Sequence, residues 1–223
     1  MAEKKFSIPV MILMILCLPL IYLTGKSLVI EILAISPGNL FQMMFFIGFI
    51  VSALLFSVFK RRLNYFTTLE HELTHLLWAV LTLNTPTELH VKKHIGGMVA
   101  YQGKKNVMIV LSPYFFQTFT FLLFLVYLVI NWTFYKWFYL ILGVSVGYHL
   151  ATDIREIPDR RQPDLQQYGF IPSLIIIMFF YLLSLGLILG FVEQGGFGGM
   201  WKYLVSVYGE GVSVRYLCRY FVL

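Results

Sequence analysis

The chain has 223 residues, of which 59% are hydrophobic and 13% charged, with a formal net charge of +6. A soluble domain carries about 25% charged residues and about 45–50% apolar ones, and a chain this short could not bury such an apolar excess in a water-soluble core. The basic residues fall in short clusters between apolar blocks, which is how topology signals look and not how a nucleic-acid-binding surface looks.

Met1 to Lys5 lead into an apolar run that begins at Phe6, continues to about Leu23 and contains Pro9 and Pro19. No small-residue cleavage site follows, so the run reads as a retained first span over about Ser7 to Leu23. Thr24-Gly25-Lys26-Ser27 contains a Gly-Lys-Ser triplet, but Leu20 stands where a phosphate-binding loop needs a further glycine. Ser36-Pro37-Gly38-Asn39 is a loop signal. A second span covers about Leu40 to Phe59 and stops at Lys60-Arg61-Arg62. A helix over about Thr67 to Leu83 follows, ended by Asn84-Thr85-Pro86. Glu88 to Lys92 and Met98 to Gln102 are strand-like, with Gly96-Gly97 between them, and predict a β-hairpin over about 88–102.

A fourth apolar block spans about Val107 to Ile130, with Pro113 near its start, and a fifth spans about Phe134 to Thr152. The polar stretch from Asp153 to Gln167 includes Asp159 and Asp164, which, with the neighbouring arginines, read as a solvated loop. A sixth block covers about Phe170 to Val192. The glycine-rich run Gly195 to Gly199 then leads to an aromatic, weakly basic tail expected at the membrane interface. Trp132, Tyr135, Trp137 and Tyr139 fit an interfacial aromatic belt. Cys17 and Cys218 lie far apart in apolar stretches and suggest neither a disulfide framework nor a cysteine metal site.

The expected fold is therefore an all-α polytopic membrane protein of about six apolar helices with one small β-hairpin. Residues 1–62 form an N-terminal pair of spans, 63–192 the core, and 193–223 the glycine-rich joint and tail. Lys4, Lys5, Lys60 to Arg62, the hairpin lysines (Lys92, Lys93, Lys104, Lys105) and Arg155, Arg160 and Arg161 can all be cytoplasmic if the 67–83 helix enters and returns on one side. A full crossing by that helix would instead put the hairpin lysines outside.

Glu70-His71-Glu72-Leu73-Thr74-His75 carries the chemistry. Residues four apart on a helix lie about 40° apart around the axis and about 6 Å along it. His71 and His75 therefore face the same way and can share one Zn²⁺ through imidazole nitrogens. Glu72 is placed beside the open coordination position, where it can take a proton from the attacking water and deliver it to the leaving amine. Zinc needs a third protein ligand. His149 and Asp153 share a helix face at the end of the fifth block, and a carboxylate from Asp153 would complete a His₂-carboxylate set. His149 is a further ligand candidate or a supporting group, and Glu156 a substitute for Asp153. The alternative for Asp153 is a helix-end carboxylate paired with Arg155 or with a lysine elsewhere. His90 and His94, in a lysine-rich hairpin, read as solvated histidines.

The order of a His-Glu-x-x-His helix, a Gly-Gly hairpin, a Ser-Pro span (Leu111-Ser112-Pro113, with Gln117 following) and a span ending in Asp153 resembles the site-2 protease family of intramembrane zinc metallopeptidases, in its small bacterial branch. The resemblance covers roughly residues 66–156. It implies His71, His75 and Asp153 as zinc ligands and Glu72 as catalytic base. It also implies a substrate-binding hairpin edge at Gly96, Gly97, Met98 and Val99, with Gln117 as a further substrate contact. The expected substrate is a membrane protein or peptide, cleaved in or beside the lipid bilayer of a bacterial cytoplasmic membrane, with the site towards the cytoplasm. The contrasting expectations are a membrane scaffold or transporter subunit that keeps a metal site, and a zinc hydrolase acting on a lipid.

Overall fold

The computed structural model describes residues 8–36, 38–58, 60–92, 96–104, 106–159 and 162–221, with side chains for all of these but 60–64, 92, 96 and 210–221. The expectations placed on residues 1–7, Pro37, Phe59, Lys93, His94, Lys105, Arg160 and Arg161 lie outside the described residues, as do the side chains of Lys60, Arg61, Arg62, Lys92 and Cys218.

The first helix, α1 (Ile8–Ala34), runs well past the Leu23 boundary expected from hydropathy. The polar residues that suggest an end are satisfied inside it. The Thr24 hydroxyl donates back to the Leu20 carbonyl at 2.8 Å, and Thr24 and Ser27 are buried. Asn39 then opens α2 (Leu40–Val58) as an N-cap, its side-chain oxygen accepting from the Phe41 N–H at 2.9 Å. No glycine or proline separates Lys60 from Thr68, so α3 (Lys60–Leu81) starts earlier than the expected Thr67.

Strands β1 (Thr85–Lys92) and β2 (Gly96–Gln102) pair antiparallel, with Val91 opposite Gly97, His90 opposite Met98 and an irregularity between Pro86 and Glu88. The hairpin matches the expectation, but Gly96 and Gly97 belong to β2 and not to the turn.

The fourth apolar block is not one helix. It breaks into α4 (Val107–Leu111), a 3-10 turn over Ser112–Tyr114 and α5 (Thr118–Tyr127), with an 84° bend. Pro113 lacks the N–H that would continue the α4 ladder. After α6 (Tyr135–Glu156) comes the short α7 (Pro163–Gln167), inside the stretch expected to be a solvated loop. It is followed by α8 (Phe170–Gln194) and α9 (Phe197–Phe221). Gly195 and Gly196, at φ 77° and 155°, reverse the chain between the last two helices. The expected interfacial tail is thus a helix whose first half joins the bundle. Tyr203 is fully buried and donates its hydroxyl to the Thr24 carbonyl at 3.1 Å.

Among the described residues, three helices, α1, α2 and α8, are long and apolar enough to cross a membrane, and the bent α4–α5 pair makes a fourth if counted as one span. That marks an integral membrane protein with fewer such helices than the six apolar blocks expected. Charged and imidazole side chains dilute α3, and tyrosines, Lys136 and His149 dilute α6. The α2–α6 pair crosses closely, because a Cβ at Gly143 would fall on the Phe45 carbonyl and one at Gly48 on the Leu140 carbonyl. A second apolar cluster, including Val110, Tyr114, Leu165 and Ile176, lies under the candidate site and ties α4, α7 and α8 together.

Candidate metal centre

His71 and His75 occupy successive turns of α3, their ring centroids 4.9 Å apart. The orientation of His75 follows from the break in the fourth block. In an unbroken helix the Ile109 carbonyl would accept from residue 113, but that residue is a proline. The freed carbonyl accepts the His75 Nδ1–H at 2.7 Å and the Ser112 hydroxyl at 3.0 Å. A carbonyl can only accept, so His75 carries a proton on Nδ1, and Nε2 is the nitrogen left to face the cleft. That Nε2 lies 3.4 Å from Asp164 Oδ2. The same carboxylate oxygen lies 3.4 Å from His71 Nε2, and Glu156 Oε2 lies 3.4 Å from His71 Nδ1 on the other side of the ring.

His71, His75 and Asp164 form a group whose ligand atoms all lie within 4.8 Å of one another, able to hold a metal ion. Donors held about 2.0–2.1 Å from a tetrahedral ion stand roughly 3.4 Å apart, and the two His–Asp edges match that spacing. Two imidazoles and a carboxylate are a donor set that several divalent transition metals accept.

The sequence places Asp164 in a solvated loop; the structure seats it against both histidines instead. Pro163 takes the first helical position of α7, and Leu165, 1% exposed, is driven into the apolar cluster beneath. The Ser173 hydroxyl donates to the Leu165 carbonyl at 3.1 Å. With Leu165 anchored, its neighbour Asp164 is held at the rim above. The one sequence signal for this is a lone apolar residue behind a helix-starting proline in an otherwise polar stretch.

Asp153 and His149, the expected carboxylate and its companion, are not brought into this group. They are buried side by side in α6, with His149 Nε2 3.1 Å from Asp153 Oδ2 but no hydrogen bond made by either atom. Gln117 is buried before α5, accepts from the Thr120 hydroxyl at 3.1 Å and is not among the residues lining the cleft. His90 is exposed on β1, 3.1 Å from Glu88, in line with a solvated histidine.

Glu72, only 7% exposed, lies in the wall of a cleft of about 870 Å³ that also takes in His71, His75 and Asp164. Strand β2 forms the facing wall through Gly97 to Tyr101. Gly97 is where the strand passes over the helix: a Cβ there would lie 2.6 Å from Glu72 Oε1. Overpacking of that kind costs about 1–3 kcal/mol. Gly97→Val is therefore expected to lower stability by that amount, and Glu72→Ala in the same chain to restore most of it. A double-mutant cycle on thermal unfolding in detergent reads the coupling, and additive effects would place Gly97 away from Glu72.

The charges are arranged for a cation. Burial disfavours charge on His71, but its hydrogen bonds with Asp164 and Glu156 outweigh that and push it up to about 10. Burial alone would raise the Asp164 carboxyl, but His71 and His75 hold it well below the usual carboxylate range. Burial pushes the Glu72 carboxyl up, against the pull of His71 and His75.

Comparison with protein-family models, with curated proteins and with solved structures finds no match to this chain.

Proposed function

We propose that the chain is an intramembrane zinc metalloprotease that hydrolyses peptide bonds of membrane-protein substrates within or beside the bilayer. The observation that carries this reading is the convergence of His71, His75 and Asp164 with the buried Glu72 at one cleft of an integral membrane protein. Zinc held by the first three residues would supply Lewis-acid polarisation of the peptide carbonyl and would acidify a water. Glu72 takes the proton of the attacking water and passes it to the leaving nitrogen. The Ile109 carbonyl holds the His75 ring at Nδ1, so that Nε2 would be the nitrogen offered to the ion.

The hairpin favours a peptide over a lipid as substrate. Among the described residues the two-stranded sheet leaves one edge of β2 without a strand partner, and the cleft runs along that strand from Gly97 to Tyr101. An extended segment can add there by main-chain hydrogen bonds, which a lipid cannot make. A helical substrate must unwind first, since its own ladder occupies the carbonyls to be attacked. The same hairpin gives the substrate-binding role of Gly96, Gly97, Met98 and Val99 its physical basis.

Metal removal tests the reading. Purified protein in detergent is expected to carry about one zinc per chain and to cleave a single-span reporter polypeptide. Chelation should abolish cleavage, and added zinc should restore it. Full zinc occupancy with no cleavage of any single-span reporter would favour a metal-bearing scaffold.

A further inference from the structure

Glu156 touches the site from a direction that the zinc reading leaves unexplained. It is the last residue of α6, and its Oε2 lies 3.4 Å from His71 Nδ1, while the Asp164 carboxylate faces Nε2 of the same ring. The two nitrogens of an imidazole point away from each other, so a carboxylate at Nδ1 cannot bind an ion held at Nε2. What it can do is accept the Nδ1–H, which fixes the tautomer and the ring and makes Nε2 a stronger donor. His75 has a neutral counterpart in the Ile109 carbonyl. The two histidines therefore differ in the charge of the group behind them, and the Glu156 carboxylate, 30% exposed at the cleft wall, keeps part of its field there.

We propose that Glu156 is a positioning residue that sets His71 as the tighter zinc-binding histidine by holding its Nδ1–H. The proposal rests on the zinc reading of the centre and goes beyond it, since it assigns a role to a carboxylate outside the ligand set. The end of α6 thereby holds the ring of a ligand carried by α3.

The test uses the full chain in detergent and zinc alone. Zinc affinity is measured by competition with a chromophoric chelator, and cobalt(II) is then bound in place of zinc to read the visible bands of the site. Glu156→Ala is expected to weaken zinc binding by about 10–100-fold and to shift the cobalt bands. Glu156→Gln keeps an acceptor oxygen without the charge and is expected to fall between the two, about 3–10-fold weaker than wild type, with bands close to wild type. This near-isosteric variant decides the matter if the alanine variant fails to fold. Zinc binding within about twofold of wild type in both variants, or in the glutamine variant alone where the other is unfolded, overturns the role of Glu156 and leaves the metal centre standing. Absence of zinc and cobalt binding in the wild type overturns the centre itself, and this inference with it.

Discussion

Glu72→Gln is expected to keep its zinc and lose about 10²–10⁴-fold in peptide cleavage, the usual worth of a positioned acid–base group. At 1.36 kcal/mol per tenfold, that is roughly 3–5 kcal/mol of transition-state stabilisation. The substitution preserves shape, which matters because Gly97 leaves so little room above this side chain. It removes the proton acceptor while leaving His71, His75 and Asp164 in place. Zinc content by elemental analysis and single-turnover cleavage of a single-span reporter separate the two effects. Unchanged cleavage in a fully zinc-loaded Glu72→Gln protein would remove Glu72 from the chemistry. Zinc lost together with activity would make Glu72 part of the metal's support and not its partner in proton transfer.

The part of the centre that is legible in the sequence is the part that depends on one helix alone. His71, Glu72 and His75 lie within five positions, and helical geometry alone aligns the two imidazoles. The hairpin is legible for a similar reason, since its strands are neighbours in sequence and alternate locally. What escapes depends on long-range folding. Asp164 reaches the centre from 93 residues beyond His71, and only because Leu165 is buried under it. Gly96 and Gly97 look like turn residues, whereas the constraint on Gly97 comes from a side chain of α3 passing beneath β2. Pro113 is visible as a punctuation mark inside an apolar block. Its consequence, a carbonyl released to orient His75, needs the bend and the neighbouring helix together. The count of apolar blocks exceeds the count of helices long and apolar enough to cross a membrane, among the described residues, because α3 and α6 carry buried polar groups within their apolar runs.

The carboxylate that completes the centre gives the second large effect. Asp164→Ala is expected to weaken zinc binding by at least about 100-fold, more than the 10–100-fold that loss of an outer partner costs. Asp153→Ala should leave zinc affinity within about threefold, below the effect of an outer partner. The geometry makes this contrast sharp. Asp164 Oδ2 stands 3.4 Å from both Nε2 atoms, whereas the nearest imidazole to Asp153 is His149, at 3.1 Å within the same helix. Removing Asp164 leaves two histidines to hold the ion, and water must fill the vacated position. Removing Asp153 takes a buried carboxyl out of α6 and leaves the His71, His75 and Asp164 group untouched. Any effect should therefore appear in thermal stability and not in metal content. Zinc titration and thermal unfolding of the two variants in the same detergent give opposite patterns if the ligand is Asp164. The reverse pattern would return the third position to Asp153, and with it the arrangement that the resemblance to site-2 proteases implies. It would also require α6 to move its Asp153 face towards α3, a displacement that the close crossing at Gly48 and Gly143 leaves little room for.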